Sequence, residues 1–356
     1  MTVLIVPAAG YSKRFNLGRP KMLLQHPMGV TMLTAAIENL GNQLEQDKDK
    51  IIIVMKEEFF TDISLEKLQS ELNARLEIEA RIILIEKNSE SMVETIIHGI
   101  KELDVDDSII IKDSDNRLNI DFDEFNKYEY AISGLSLNNT KVKNIASKSF
   151  LKVNENDYLT SIFEKKIESD LINVGLVKFE SASNFIKYAK KVEVSREIYV
   201  SDVLQKALED GKKVKVIRAV NYEDWGTQED WLEYVRTYST LFVDIDGVLC
   251  INENPLSKNG GWNQFDPITE NLETLLTLQD SGKVKIIFTT SRSDTHRLFL
   301  IAELKNQGFL NFELITGLPH AKRILINDFS RTNEFPSALS INLPRNSQNL
   351  GEYLIN

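Results

Sequence analysis

Two short stretches of this sequence place phosphate-handling residues directly after apolar runs. The first is VPAAGYSKRF, Val6 to Phe15, followed by Pro20 and Lys21. Pro7-Ala8-Ala9-Gly10 leaves a strand through small residues, which let backbone N–H groups approach an anion closely. Arg14 and Lys21 add two cations within eleven residues of Gly10. A triphosphate attacked at its α-phosphorus develops negative charge, which fixed cations and a divalent metal stabilise. Alone, such a loop also reads as a plain strand-to-helix turn. Two acidic stretches strengthen the phosphate reading. Ile111-Lys112-Asp113-Ser114-Asp115-Asn116 ends an apolar run with carboxylates, and Asp224-Trp225-Gly226-Thr227 supplies another 109 residues after Asp115. Oxygen ligands of this kind, completed by phosphate oxygens, suit Mg²⁺. The competing readings are a solvated loop acid at Asp113 and a turn-forming aspartate at Asp224.

The second stretch is LFVDIDGVLC, Leu241 to Cys250. Asp244 and Asp246 stand two residues apart at a strand end, and a turn at Gly247 lets both reach one pocket. One carboxylate can attack phosphorus while the other donates and then accepts a proton. Downstream, IIFTTSR ends in Thr289, Thr290, Ser291 and Arg292, and RILIND ends in Asn327 and Asp328. Three strand ends are then expected to converge on one sheet edge, where open α/β sheets bind ligands. Arg292 is read as orienting the loop or reaching substrate. With both stretches present, the chain is expected to perform two successive phosphate chemistries on one small metabolite.

The elements that must position these residues follow from hydrophobic patterning. Strand-like runs occupy 3–8, 50–55, 80–86, 108–113, 130–137, 172–179 and 213–220, with helical patterns between them at 31–40, 91–103 and 200–211. Gly211 sits where a helix-terminating glycine belongs. Strands alternating with helices predict a mainly parallel sheet covered on both faces. The second stretch repeats the pattern, with strands at 240–246, 284–290 and 323–328 and helices at 268–282 and 295–309. The fold class is therefore α/β with two doubly wound domains, 1–236 and 237–356, the junction lying near 230–240. The polar stretch 135–148 reads as a mobile surface loop, and the insertion 251–270 as a flap, with Trp262 a flap anchor or a substrate contact.

Composition narrows the function classes. At 356 residues, two domains is the default expectation. Net charge is −11, and residues 1–236 carry 32 basic against 40 acidic side chains, residues 237–356 carry 10 against 13. Neither half is basic enough for a nucleic-acid surface. No apolar stretch is long enough to span a bilayer, and the start reads as a buried first strand rather than a signal peptide. The single cysteine, Cys250, excludes an internal disulfide and suits a reducing cytoplasm. The histidines at 26, 98, 296 and 320 show no metal-ligand spacing.

Over residues 1–236 the sequence resembles the sugar-phosphate nucleotidyltransferases with a nucleotide-diphospho-sugar transferase fold. The matching residues are PAAGYSKRF with Pro20-Lys21, Asp115-Asn116, Glu164-Lys165, Asn173-Val174-Gly175 and Asp224-Trp225-Gly226-Thr227. The resemblance implies a mixed sheet and an NTP held by Ala8, Ala9, Gly10, Ser12, Arg14 and Lys21. It implies Mg²⁺ on Asp115 and Asp224, and a phosphorylated sugar or polyol facing Glu164 and Lys165. Tyr11-Ser12 replaces the usual small residues. Asn88 to Ser91 replaces a glycine-rich base-reading stretch, which leaves the base open, with a pyrimidine preferred.

Residues 239–356 are similar to the haloacid dehalogenase superfamily with a small cap. That resemblance implies Asp244 as nucleophile, Asp246 as general acid/base, Thr290 on the phosphoryl group, and Mg²⁺ on Asp244, Asp246 and Asp328. The family's lysine falls on Lys322 or Lys305. A single Asp328 after Asn327, with no second acid nearby, departs from the pattern. The expected function is a bifunctional cytoplasmic enzyme. It trims a phosphorylated sugar or polyol and couples a remaining phosphate to an NTP, releasing pyrophosphate, in the supply of a surface polysaccharide or lipid headgroup. No nucleic-acid or membrane partner is expected; a homo-oligomer is compatible. The alternative is a nucleotide-binding regulatory or scaffold protein with one or both sites inactive.

Overall fold

The structure, a computed structural model, describes residues 1–10, 15, 20–86, 89, 91–101, 103–104, 106–139, 142–252, 254, 261–328 and 337–354. They form two compact units, Met1–Val235 and Arg236–Asn356.

The strands of the first unit are β1 (Thr2–Pro7), β2 (Lys50–Lys56), β3 (Ala80–Ile85), β4 (Ser108–Lys112), β5 (Asn116–Asn119), β6 (Ala131–Ser136), β7 (Ser149–Val153), β8 (Leu159–Glu164), β9 (Leu171–Phe179), β10 (Lys215–Arg218) and β11 (Val220–Asp224). The main sheet runs β10-β6-β9-β4-β1-β2-β3. β9 lies antiparallel to β4 and β6, and the other neighbours on that path are parallel. An antiparallel hairpin of β7 and β8 hangs from β9. β5 and β11 form a separate antiparallel ribbon. The sheet is therefore mixed, as the resemblance implies. Because β1 is covered on both faces, Val3, Leu4, Ile5 and Val6 are all fully buried, which is why its sequence is a continuous apolar run.

Helices Met32–Gly41 and Met92–Ile100 begin at Thr31 and Ser91, whose hydroxyls accept N–H bonds from Thr34 and Glu94. Helix Val200–Glu209 ends as its sequence predicts. Gly211 takes φ +82°, its N–H donates to the Leu208 carbonyl at 2.9 Å, and the Lys212 N–H donates to the Ala207 carbonyl at 3.0 Å. One expectation is corrected. The single strand over 213–220 is two strands, broken at Ala219, whose N–H donates to the Gly134 carbonyl at 2.8 Å. Residues 144 and 146–148, at the end of the polar stretch 135–148, line a cleft described below.

The second unit holds β12 (Ser239–Asp244), β13 (Val284–Thr289) and β14 (Phe312–Ile315), parallel and in that order. Helices Thr269–Asp280 and Arg297–Asn306 contribute Leu275, Leu300 and Leu304 to a core with Ile245, Phe288 and Phe309. The expected strand over 323–328 is not formed. Ile324, Leu325 and Ile326 stay 73%, 59% and 90% exposed: among the described residues no strand pairs with them, and an apolar run without a sheet neighbour gains no burial. Among the described residues, no helix is long and apolar enough to cross a membrane.

Phe185 is fully buried and meets Phe179 edge-on, ring centroids 5.0 Å apart. Phe185→Ala should cost the first unit about 3–5 kcal/mol, measurable as a lowered urea midpoint of its unfolding transition.

Candidate active site

A cleft of about 1060 Å³ opens in the first unit, where the strand-end loops meet. One end is lined by Pro7, Ala9 and Gly10 after β1 and by Ser89, Ser91 and Thr95 beyond β3. Ala8 and Ala9 are buried, and Gly10 is exposed. Ser12 and Arg14 lie outside the described residues. Lys21 opens a single 3-10 turn after Pro20, and its ammonium binds the Asp115 carboxylate. Of the residues in the Asn88–Ser91 departure, Ser89 shares a 2.7 Å hydrogen bond with the Thr95 hydroxyl and Ser91 caps the following helix.

The acidic centre is built by the β5–β11 ribbon. Its register sets Asp224 opposite Asn116, and the Trp225 N–H donates to the Asp115 carbonyl at 2.9 Å. The Asp224 and Asp115 carboxylates converge on Gly226: a Cβ there would lie 3.1 Å from one and 3.7 Å from the other. Behind them, Lys112 is fully buried and donates to the Asp113 carbonyl at 2.6 Å, the Asn116 carbonyl at 2.9 Å and the Asn116 side chain at 2.6 Å. Burial pushes the Lys112 ammonium down to about 8, against the pull of Asp113 and Asp115. Burial and then the charge of Asp115 raise Asp113. Burial would raise Asp115 too, but the bonded Lys21 ammonium, with Lys148 and Lys112, outweighs it and holds that carboxyl low. Asp113 is half-buried with its carboxylate against Gly175, not the fully solvated loop acid of the competing reading.

The other end carries the acceptor residues suggested by the sequence. The Glu164 carboxylate is fixed by the Ser149 and Ser201 hydroxyls at 2.5 and 2.6 Å. Lys165 sits at φ +54°, a region bulky residues rarely enter. Its ammonium bonds the Tyr199 hydroxyl and lies 4.2 Å from that ring's centre. Glu164, Lys165, Asn173 and Gly175 all line the same cleft as Asp115, Asp224 and Lys21. Sequence reasoning missed Lys148, which binds Asp224 at 2.5 Å. It stood inside a polar stretch whose composition signals only a loop.

Asp115 and Asp224 fit a hard divalent cation. Their oxygens converge, and each already holds an ammonium in this structure, the response of a carboxylate pair that needs positive charge.

The second unit's candidates are arranged differently. Both Asp246 oxygens are engaged, one by Arg292 Nε and Nη2 at 2.9 and 2.7 Å, the other by the Thr290 hydroxyl at 2.7 Å. Arg292, 2% exposed, also donates to the Trp262 and Gln264 carbonyls at 2.7 and 2.9 Å. It ties the flap to Asp246. The Trp262 ring packs edge-on to His296. Asp244 pairs with Arg323 at 3.2 Å, and burial raises its carboxyl. Asp328 and Lys322 are exposed in the segment that forms no strand. Lys305 borders a separate hollow with Leu310, Phe312 and Glu313. No group of three acidic, histidine or cysteine side chains able to hold a metal occurs among the described residues. Here the residues present do not fit Mg²⁺, because both Asp246 oxygens are already held by Arg292 and Thr290 and Asp328 is exposed on a segment unpaired among the described residues. Cys250 is buried and its thiol pushed up to about 12, chiefly by burial, so it is inert.

No protein-family model matches the sequence, nor does the sequence of any curated protein. Solved structures do match the fold. The nucleoside-diphosphate-sugar pyrophosphorylase of Vibrio cholerae RC9 is 15% identical, with TM-score 0.56 over 65% of this chain and 99% of that one. The inositol-1-phosphate CTP transferase of T. maritima is 15% identical, with TM-score 0.51 over 64% and 90%. A UDP-glucose pyrophosphorylase complexed with UDP-glucose is 15% identical, with TM-score 0.52 over 66% and 97%. About two thirds of this chain therefore has the fold of these nucleotidyltransferases.

Gly175, at φ +85°, lies so close to the acidic turn that a Cβ would come 2.4 Å from Asp113 and 2.7 Å from Asn116. Gly175→Ala should push that turn aside, lower the melting temperature by several degrees (about 1–3 kcal/mol), and weaken Mn²⁺ binding followed by electron paramagnetic resonance.

Proposed function

We propose that the first unit transfers a nucleotidyl group from an NTP to a phosphorylated sugar or polyol, releasing pyrophosphate. The observation that carries this reading is the convergence of Asp115, Asp224 and Lys21 on Gly226, in one cleft with Gly10 and Lys165. Lys21, with Arg14 four positions after Gly10 in sequence, holds the triphosphate. Asp115 and Asp224 hold a divalent cation, which supplies charge neutralisation at the reacting phosphates. Glu164 and Lys165 orient the acceptor. A phosphate oxygen of the acceptor attacks the α-phosphorus, a new P–O bond forms, and the bond to the β-phosphate breaks. The chain's own contribution is alignment and fixed positive charge. A pyrimidine base is favoured, supported by two of the similar structures, described as a CTP transferase and a UDP-glucose complex. The single buried cysteine fits a reducing cytoplasm, and an activated sugar or polyol there suits synthesis of a surface polysaccharide or lipid headgroup.

The test is pyrophosphate release with each NTP against a panel of sugar and polyol phosphates. Wild type should release it with at least one pair. Lys21→Ala and Asp224→Asn should each lower kcat/KM by about 10²–10³-fold. Silence across the whole panel would count against transfer and favour a nucleotide-binding regulatory protein.

A phosphatase activity of the second unit is a further proposal, supported by Asp244. This carboxylate is partly exposed at the end of β12 and faces the Arg323 guanidinium, an anion-binding group. Attack by Asp244 on a phosphate monoester forms an aspartyl-phosphate and expels the alcohol, and water then releases phosphate. With an aryl phosphate as substrate, Asp244→Asn should abolish hydrolysis and leave nucleotidyl transfer intact. Loss of both activities would contradict two separate sites.

A further inference from the structure

The cleft of the first unit holds a second carboxylate–ammonium pair besides that of Lys21 and Asp115. Lys148 Nζ lies 2.5 Å from Asp224 Oδ2, with side chains only 18% and 12% exposed. The Tyr222 hydroxyl takes a 3.0 Å bond from the same ammonium. Lys148 immediately precedes β7, and its carbonyl accepts the Lys165 N–H at 3.1 Å. The neighbouring pair in that hairpin is Ser149 opposite Glu164. Lys148 therefore stands between the carboxylate proposed to hold metal and the residues proposed to face the acceptor.

A divalent cation bound to Asp115 and Asp224 competes with the Lys148 ammonium for Asp224, because like charges repel. A displaced ammonium that stays in the cleft needs a new anion, and a phosphate is the anion this cleft is proposed to receive. We propose that Lys148 is a second phosphate-binding lysine. It neutralises Asp224 while the metal position is empty, and it turns to the acceptor's phosphate, beside Lys165, when a divalent cation takes Asp224. The proposal rests on the nucleotidyl-transfer reading for the identity of the acceptor. The exchange of partners can be measured without turnover.

The experiment compares the full-length chain with Lys148→Met, Lys148→Gln and Lys148→Arg, after circular dichroism has established which variants fold. Mn²⁺ alone is titrated by electron paramagnetic resonance, and inorganic phosphate is titrated against the Mn²⁺-saturated protein by ³¹P line broadening. The neutral variants should bind Mn²⁺ tighter by about three- to tenfold, since a competing cation is gone, yet hold phosphate about tenfold more weakly. With an active NTP and acceptor, acceptor KM should rise about tenfold while kcat changes less, and Lys148→Arg should restore much of it. A merely structural lysine would weaken both titrations together. Unchanged or weaker Mn²⁺ binding in the neutral variants, or unchanged phosphate binding, overturns the proposal. If wild type transfers nothing to any acceptor, the activity reading fails, and the two titrations still decide whether Lys148 exchanges Asp224 for phosphate.

Discussion

Asp224 sits opposite Asn116 because two short strands, β5 and β11, pair antiparallel, with a register shift between Val220 and Glu223. Everything proposed for the first unit depends on that pairing. Side chains alternate faces along a strand, so a slip of one residue would turn Asp224 away from Asp115. The Trp225 N–H bond to the Asp115 carbonyl fixes the register beside the carboxylates themselves. Trp225 is fully buried among His26, Trp231 and Tyr234. The aromatic cluster thereby anchors one partner of the ribbon, and the buried Lys112 ammonium anchors the other through the turn that it bonds.

The acidic centre of this cleft draws lysines to it in a protein whose overall charge is −11. Lys21, Lys112 and Lys148 each engage the acidic centre through a different element. Desolvated charges are costly unless paired and hydrogen-bonded, so such an arrangement persists only where several bonds hold each group. The Lys165 backbone is the complementary case. A non-glycine residue at φ +54° carries local strain, and here its ammonium lies over the Tyr199 ring.

Much of this was legible in the residues. Apolar runs located β1, β2, β4 and β9 because central strands buried on both faces leave a continuous signal. Gly211 marked its helix end because only one local conformation was at stake. The ribbon was not legible. β5 and β11 contain Arg117, Asn119, Asn221 and Glu223, and polar edge strands carry no hydrophobic period. Lys148 was hidden for a similar reason: its role comes from Asp224, 76 positions away in sequence. The RILIND run misled in the opposite direction. Its composition is strand-like, yet Ile324 to Ile326 pair with no strand among the described residues. Asp328 therefore does not join Asp244, and local pattern cannot report a missing neighbour.

The most direct test is a crystal of the protein soaked with Mn²⁺ and a non-hydrolysable α,β-methylene NTP, read by anomalous scattering at the manganese edge. The account expects one strong peak ligated by both Asp115 and Asp224, with the triphosphate beside Lys21. A nucleotide bound elsewhere, or manganese held without these two carboxylates, would contradict it.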